Sequence, residues 1–253
     1  MMNETEIGEI LSTLETLLYE DPTVAFAIKM LLEAKLQISV KIHDSDLVSE
    51  NFDKRFRAAL LVHHSVNLHT LDKKAFEYSF RDSLRADGRT AELDPSSTYP
   101  GADIAVDSIP ISLKTEGAKS TKREFIHISK LMESAWMKPF KKLEDFQKGI
   151  SDHILKHLGK YERMFSLRAF SIPNGQEYEL VEIPLEILRA ASLVRTEDLS
   201  PITKAHGTHA WVKWDGVRAF RLTFDGSDDK ITIASLARHL CKIHAEWRVT
   251  WSH

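Results

Sequence analysis

Asp103 is followed nine residues later by Ser112 and, two further on, by Lys114, in the segment PGADIAVDSIPISLKTEG, residues 100–117. Residues of these types could together cleave a phosphodiester with the help of a metal. That chemistry needs a carboxylate to hold a cation against the phosphate, an activated water, and positive charge to stabilise the transition state. Asp103 can hold the metal. Lys114 is a compact cation able to contact a phosphate oxygen and place the water. Between them, the main-chain carbonyl of Leu113 can add a hard oxygen ligand. Mg²⁺ suits so sparse a set, because it keeps waters and takes ligands from its substrate. The blander reading is a cross-strand ion pair on a solvated face, worth under about 1 kcal/mol. The spacing alone does not choose between them.

The elements that must position these groups follow from periodicity. Ile104 and Val106 alternate on one face, and Ile111 and Leu113 on the return, which predicts an antiparallel hairpin turning over Asp107–Pro110. With Val106 opposite Ile111, Asp103 faces Lys114, their Cβ atoms about 4.5–5.5 Å apart. Upstream, Thr70 to Arg85 reads as a helix with Thr70 as its cap and Gly88 just beyond its end. Phe76, Phe80 and Leu84 form its apolar stripe, and Glu77 falls at the edge of that stripe beside Leu84. Glu77 is therefore a candidate second acid. Glu116 is weaker, because two residues along a strand carry it roughly 6.5 Å away from Asp103's partner.

The whole chain reads as one α/β unit. Its 253 residues, 43% hydrophobic, are enough for a full core, and a net charge of −3 announces no nucleic acid globally. The charge is uneven: the first twenty residues carry five Glu and no Lys or Arg, whereas 114–130 and 204–221 are basic. A single cysteine, Cys241, excludes an internal disulfide and suits a reducing cytoplasm. The acidic start is no signal peptide, and no apolar run approaches the length of a membrane span. Helices are predicted over 7–18, 22–37, 53–64 and 143–158, the second apolar nearly all round and so either buried or at a subunit interface. Strands are predicted over 163–170, 177–183, 209–214, 218–224 and 230–233, with 125–128 either strand-like or the start of a helix. The expected fold is a mixed sheet flanked by helices, with residues 1–69 a helical extension, 70–190 the core and 191–253 C-terminal strands.

At the level of extended segments, PGADIAVDSIPISLKTEGAKS resembles the active-site region of the SmaI-type restriction endonucleases, in the PD-(D/E)xK nuclease superfamily. The similarity continues into FIHISKLME (125–133), YERMFSLRAF (161–170) and YELVEIP (178–184), and upstream into KKAFEYSFRDSL (73–84). The resemblance implies a restriction-endonuclease-like fold in which Asp103 is a metal ligand and Lys114 is essential. The position two before the lysine, usually Asp or Glu, is Ser112, so a second acidic ligand must come from elsewhere. Glu77 is preferred. It also implies a Mg²⁺-dependent type II enzyme cutting double-stranded DNA at a short GC-rich palindrome, with CCCGGG cut to blunt ends as its leading form. A homodimer is expected, and a cognate methyltransferase as a functional rather than a bound partner. Lys119, Lys122 and Arg123, in the loop after the catalytic strand, are candidate DNA contacts with Lys130, Lys204, His206 and His209. A nuclease with little sequence preference, or a non-cutting DNA-binding module in which Ser112 marks a decayed site, are the alternatives.

Overall fold

The computed structural model describes residues 4–94 and 101–251; Pro100 of the quoted hairpin segment lies outside them. Two helices open the chain, α1 (Glu4–Glu20) and α2 (Pro22–Glu33), the second capped by the Asp21 side chain, which accepts from the Thr23 amide. Then come β1 (Leu36–Ile42), α3 (Glu50–Val66), α4 (Lys73–Ala86), β2 (Ala91–Leu93), β3 (Ile104–Val106), β4 (Ile109–Glu116) and β5 (Phe125–Glu133). Next, α5 (Leu143–Gly149) runs through a π-helical stretch, Ile150–Leu155, into α6 (Lys156–Leu158). The remainder is β6 (Arg163–Ile172), β7 (Gly175–Glu182), α7 (Leu185–Arg189), β8 (Thr208–Trp214), β9 (Val217–Asp225), β10 (Lys230–Ala237) and β11 (Lys242–Trp251).

These strands form two sheets. The larger has seven strands in the order β1-β11-β7-β6-β4-β3-β2 and is mixed, β4 and β6 being parallel. The smaller has four strands, β5-β10-β9-β8, all antiparallel. Successive side chains of β6 and β7 point to opposite faces. Phe165, Leu167, Tyr178 and Leu180 pack with Phe52, Phe56, Phe76 and Phe80 of α3 and α4, while Met164, Val181 and Ile183 pack with the smaller sheet and the α5–α6 segment. The large sheet is thus covered on both sides, which is why β6 is buried nearly throughout. Each of these fully buried aromatic side chains contributes about 1.5–3 kcal/mol.

Several elements differ from the sequence reading. The second helix ends at Glu33 and does not reach Gln37; Lys35 has φ +47°, and the alternation of half-buried Leu36, Ile38 and Val40 with exposed neighbours belongs to β1. A helical extension over 1–69 is therefore too broad, since β1 is the edge of the large sheet and Phe52, Phe56 and Leu60 of α3 are core. The C-terminal strands divide: β8, β9 and β10 build the small sheet, whereas β11, which the reading lacks, fills the gap between β1 and β7. The helix before the hairpin is capped by Asp72, not Thr70, its carboxylate accepting from the Ala75 amide at 2.7 Å.

The hairpin register also tightens by two residues. Ile104 pairs with Ile111 and Val106 with Ile109. Asp107 and Ser108 both have positive φ, +50° and +69°, so the turn is a two-residue type I′ turn and Pro110 lies inside the strand. One step further along the ladder puts Asp103 opposite Ser112 rather than Lys114.

Candidate active site

Asp103 enters β3 held on every side. Its amide donates to the Ile111 carbonyl at 2.9 Å, and its Oδ2 accepts from the Leu113 amide at 2.6 Å and the Ser112 hydroxyl at 3.1 Å. Ser112 thus orients the carboxylate. The amide and carbonyl of one strand residue point to the same edge, so the Leu113 carbonyl is directed to this side as well. Oδ1 accepts from Lys73 Nζ at 2.7 Å, and the same ammonium lies 3.5 Å from Glu77 Oε1. One cation is therefore shared by the two carboxylates expected from the sequence to hold a metal. Hard oxygens from Asp103, Glu77 and Leu113 fit Mg²⁺.

The electrostatics match this arrangement. Burial pushes the Asp103 carboxyl up, but Lys114 and Lys73 nearby, with the Lys73 and Leu113 hydrogen bonds, hold it below the usual carboxylate range. Burial lowers the Lys114 pKa, opposed by Asp103 and reinforced by Lys73. Among the described residues no carboxylate lies within ion-pairing distance of Lys114, unlike the direct Asp103 pair expected from the looser register. Glu116 is committed elsewhere: its Oε2 accepts from Arg168 Nε at 2.8 Å.

Lys73, Asp103 and Lys114 line one side of a cleft of ≈ 940 Å³. The other wall is β5 with the end of the α5–α6 segment. It presents Lys130, Lys156 and Lys160, together with His153 and His157. Five lysines thus face Asp103, Glu133 and Asp152, giving the cleft a basic field in a chain of net negative charge. Its shape depends on Gly149, where a Cβ would stand 2.8 Å from the Trp136 ring; Trp136 in turn stacks on His153 at 4.1 Å. The π-helical stretch that follows Gly149 carries Asp152 and His153 into the cleft.

Of the sequence candidates, Asp103, Ser112, Leu113, Lys114 and Glu77 come together, and Lys130 lines the same cleft, where it pairs with Glu133. Lys119, Lys122 and Arg123 sit on the loop between β4 and β5. Arg123 pairs with Glu177 at 2.7 Å and lies over the Phe170 ring. That loop is pinned from beneath by the fully buried Arg168, which donates to the carbonyls of Lys122 at 2.5 Å and Phe125 at 2.6 Å. Lys204, His206 and His209 are not among the residues lining the cleft. His206 bonds the Met137 carbonyl and His209 the Ser200 hydroxyl.

Sequence reasoning missed Lys73, Lys156, His157 and Lys160. The one available signal was the basic spacing in KHLGK, residues 156–160, at the end of a helix. Asp46, Glu182 and His244 also bring ligand atoms within 4.8 Å of one another. Arg163 already pairs with Glu182 at 2.7 Å and Asp46 at 2.9 Å, and Lys242 with Asp46 at 2.9 Å. Their charge is balanced, on the sheet face of Phe165 rather than that of Lys114.

A mixed sheet that sets a half-buried carboxylate near a lysine in a basic cleft has the charge to suit a phosphate-bearing ligand. The family model of the SmaI type II site-specific deoxyribonucleases matches residues 36–249. The type II restriction enzyme SmaI of Serratia marcescens is 35% identical over 206 residues, covering 80% of this chain and 81% of that enzyme. The chain belongs to the SmaI family of type II site-specific deoxyribonucleases. No solved structure matches it. Among the described residues no helix is long and apolar enough to cross a membrane.

Proposed function

We propose that this chain is a Mg²⁺-dependent restriction endonuclease of PD-(D/E)xK type, acting in the cytoplasm on double-stranded DNA at a short GC-rich palindrome, CCCGGG cut to blunt ends. The observation that carries this reading is the pairing of Asp103 with Glu77 through one shared cation, Lys73, where Lys73, Asp103 and Lys114 line a basic cleft. Asp103, Glu77 and the Leu113 carbonyl would hold Mg²⁺, which when bound polarises the phosphate and lowers the pKa of water. Ser112 and the Leu113 amide keep the Asp103 carboxylate in one orientation. Lys114 contacts a non-bridging phosphate oxygen and stabilises the charge that builds there. Water attacks phosphorus in line and the bond to the 3′ oxygen breaks. A water proton leaves to solvent and the 3′ oxygen takes one up, leaving 5′-phosphate and 3′-hydroxyl ends. Lys130, Lys156 and Lys160 on the far wall contact flanking phosphates.

A palindrome is most simply read by a two-fold symmetric dimer. Exposed Leu11 (57%), Phe26 (67%) and Leu32 (73%) on α1 and α2 offer an apolar surface for a second copy. The whole chain is taken as one unit, and a cognate methyltransferase is a functional counterpart only. Incubation with plasmid DNA and Mg²⁺ is the test. Discrete bands support the reading, a smear indicates a nuclease without site preference, and intact plasmid overturns it.

A further inference from the structure

The basic stretch 204–221 lines no part of the cleft, and three of its cations share another surface. Lys213 on β8 and Arg218 and Arg221 on β9 are exposed and flank the buried Val212, Phe220 and Leu222, so they stand on the outer face of the small sheet. Across the strands Trp211 pairs with Arg221, and Lys213 with Arg218. The Arg218 guanidinium lies over the Trp211 ring at 5.1 Å, which holds the cation in place and leaves its N–H donors available.

These cations lack partners within the chain. Among the described residues, every arginine except Arg218 and Arg221 pairs with a carboxylate or donates to a main-chain carbonyl. No described carboxylate lies within ion-pairing distance of Lys213 either, that of Asp215 in the β8–β9 turn included. Like charges directly opposite one another destabilise a sheet. The Lys213–Arg218 pair therefore works against the fold and calls for an anion from outside.

The face is continuous with the other basic regions. β5, which carries Ser129 and Lys130 into the cleft, is the edge strand of the same sheet. Strands lie about 4.8 Å apart, so Arg221, two strands away, stands roughly 10 Å from β5. Alongside, a depression of ≈ 340 Å³ is lined by Ser120, Lys122, His127 and Ala234, and Ala234 is the residue opposite Arg221. Glu116, the acid among its lining residues, is held by Arg168. The fold thus joins the basic stretches 114–130 and 204–221 into one band beside the cleft.

We propose that this outer face is a second DNA-contact surface, on which Lys213, Arg218 and Arg221 bind phosphates of the duplex where it passes beyond the cleft. The inference rests on the nuclease reading above, with duplex DNA as the substrate. Cations with no carboxylate between them match the regular charge of the duplex, one per about 1.7 Å of its axis. Contacts of this kind set affinity and position and read no bases.

The experiment measures affinity by fluorescence anisotropy in EDTA, across a salt series, for a long duplex that the wild type cuts. Arg218→Gln/Arg221→Gln should flatten the slope of log K against log salt by nearly two contacts, each about 0.9. Its affinity at 0.1 M salt should fall by about tenfold or more. Arg218→Lys/Arg221→Lys keeps the charge and should keep most of the slope. Lys41→Gln/Lys54→Gln removes the same charge from β1 and α3 and should leave the slope as in wild type. With Mg²⁺, the Gln pair should cut slowly at limiting protein and recover as protein is raised. Wild-type slope and affinity in the Gln pair would overturn the proposal and leave this face to a partner other than DNA. A Lys pair as flat as the Gln pair would overturn it, since charge would then not be the cause. So would an equal loss in Lys41→Gln/Lys54→Gln, which would make the effect one of net charge. If the wild type neither binds nor cuts DNA, the nuclease reading falls and this proposal with it; if it cuts and the Gln pair binds as wild type does, this proposal alone falls.

Discussion

Lys73 Nζ donates to Asp103 Oδ1 across 2.7 Å, tying α4 to the entry of β3. An ammonium in that position competes with any divalent cation for the same oxygens. Lys73→Ala should therefore tighten Ca²⁺ binding in the absence of DNA, by up to about fivefold, since a half-exposed ion pair is worth about 0.2–1 kcal/mol. Calorimetric titration measures it, and unchanged or weaker binding would remove Lys73 from this role.

Asp103→Asn and Lys114→Ala should each lower plasmid cleavage by several orders of magnitude, because both groups act on charge that develops in the transition state. Asn can still accept from Ser112 and the Leu113 amide, so Asp103→Asn keeps the fold. Near-normal cutting by either variant would dismiss this site.

Glu77→Gln and Glu116→Gln should fail in different ways. The first should slow cleavage by about 10²-fold, the scale of one lost electrostatic contact, with little change in stability. The second weakens the pairing of a buried guanidinium, Arg168, which retains Glu179 at 2.9 Å. Its cost should appear in urea unfolding, at about 3 kcal/mol. Equal stability of the two variants would contradict this assignment.

The far wall should be visible in salt dependence. Each phosphate contact contributes about −0.9 to the slope of log K against log salt for duplex DNA. Replacing Lys156 and Lys160 by Ala should therefore flatten that slope by nearly two contacts' worth, measured in EDTA. An unchanged slope would place the DNA elsewhere.

Acid should expose the cost of a buried neutral imidazole. Burial pushes the His64 pKa down to about 4, with His63 lowering it further and the Asn67 carbonyl opposing. Its Nε2 contacts the Tyr178 hydroxyl at 2.8 Å. In the unfolded chain the same ring titrates near 6.5, so between about pH 6.5 and 4 the unfolded state binds more protons. Stability from this group is full above 6.5 and is lost as pH falls toward 4, with a slope of at most about 1.4 kcal/mol per pH unit. Urea unfolding of wild type and His64→Gln at pH 7 and pH 5 checks the sign: the difference between the two pH values should shrink in the variant.

The residues of the near wall were legible because they depend on neighbours in the chain. The alternation of Ile104, Val106, Ile111 and Leu113 with polar partners marks a hairpin, and Phe76, Phe80 and Leu84 at helical spacing put Glu77 on a buried edge. The pattern was silent on register. Two positive-φ residues in the turn, neither of them glycine, decide whether Asp103 meets Ser112 or Lys114, and a period of two fits both pairings.

What the sequence by itself determined was the set of local elements and the chemical types of Asp103, Ser112, Lys114 and Glu77. Only the tertiary structure decided that Lys73 bridges the two carboxylates, that Glu116 is spent on Arg168, and that Lys156, His157 and Lys160 close the cleft. The physical reason is range. Strand and helix periodicity follow from steric and hydrophobic preferences over a few residues. The far wall exists because β4 pairs in parallel with β6, and the chain between them must leave the sheet and return. That crossover carries β5 and α6 over the face of Lys114, and no local pattern encodes where a crossover lands.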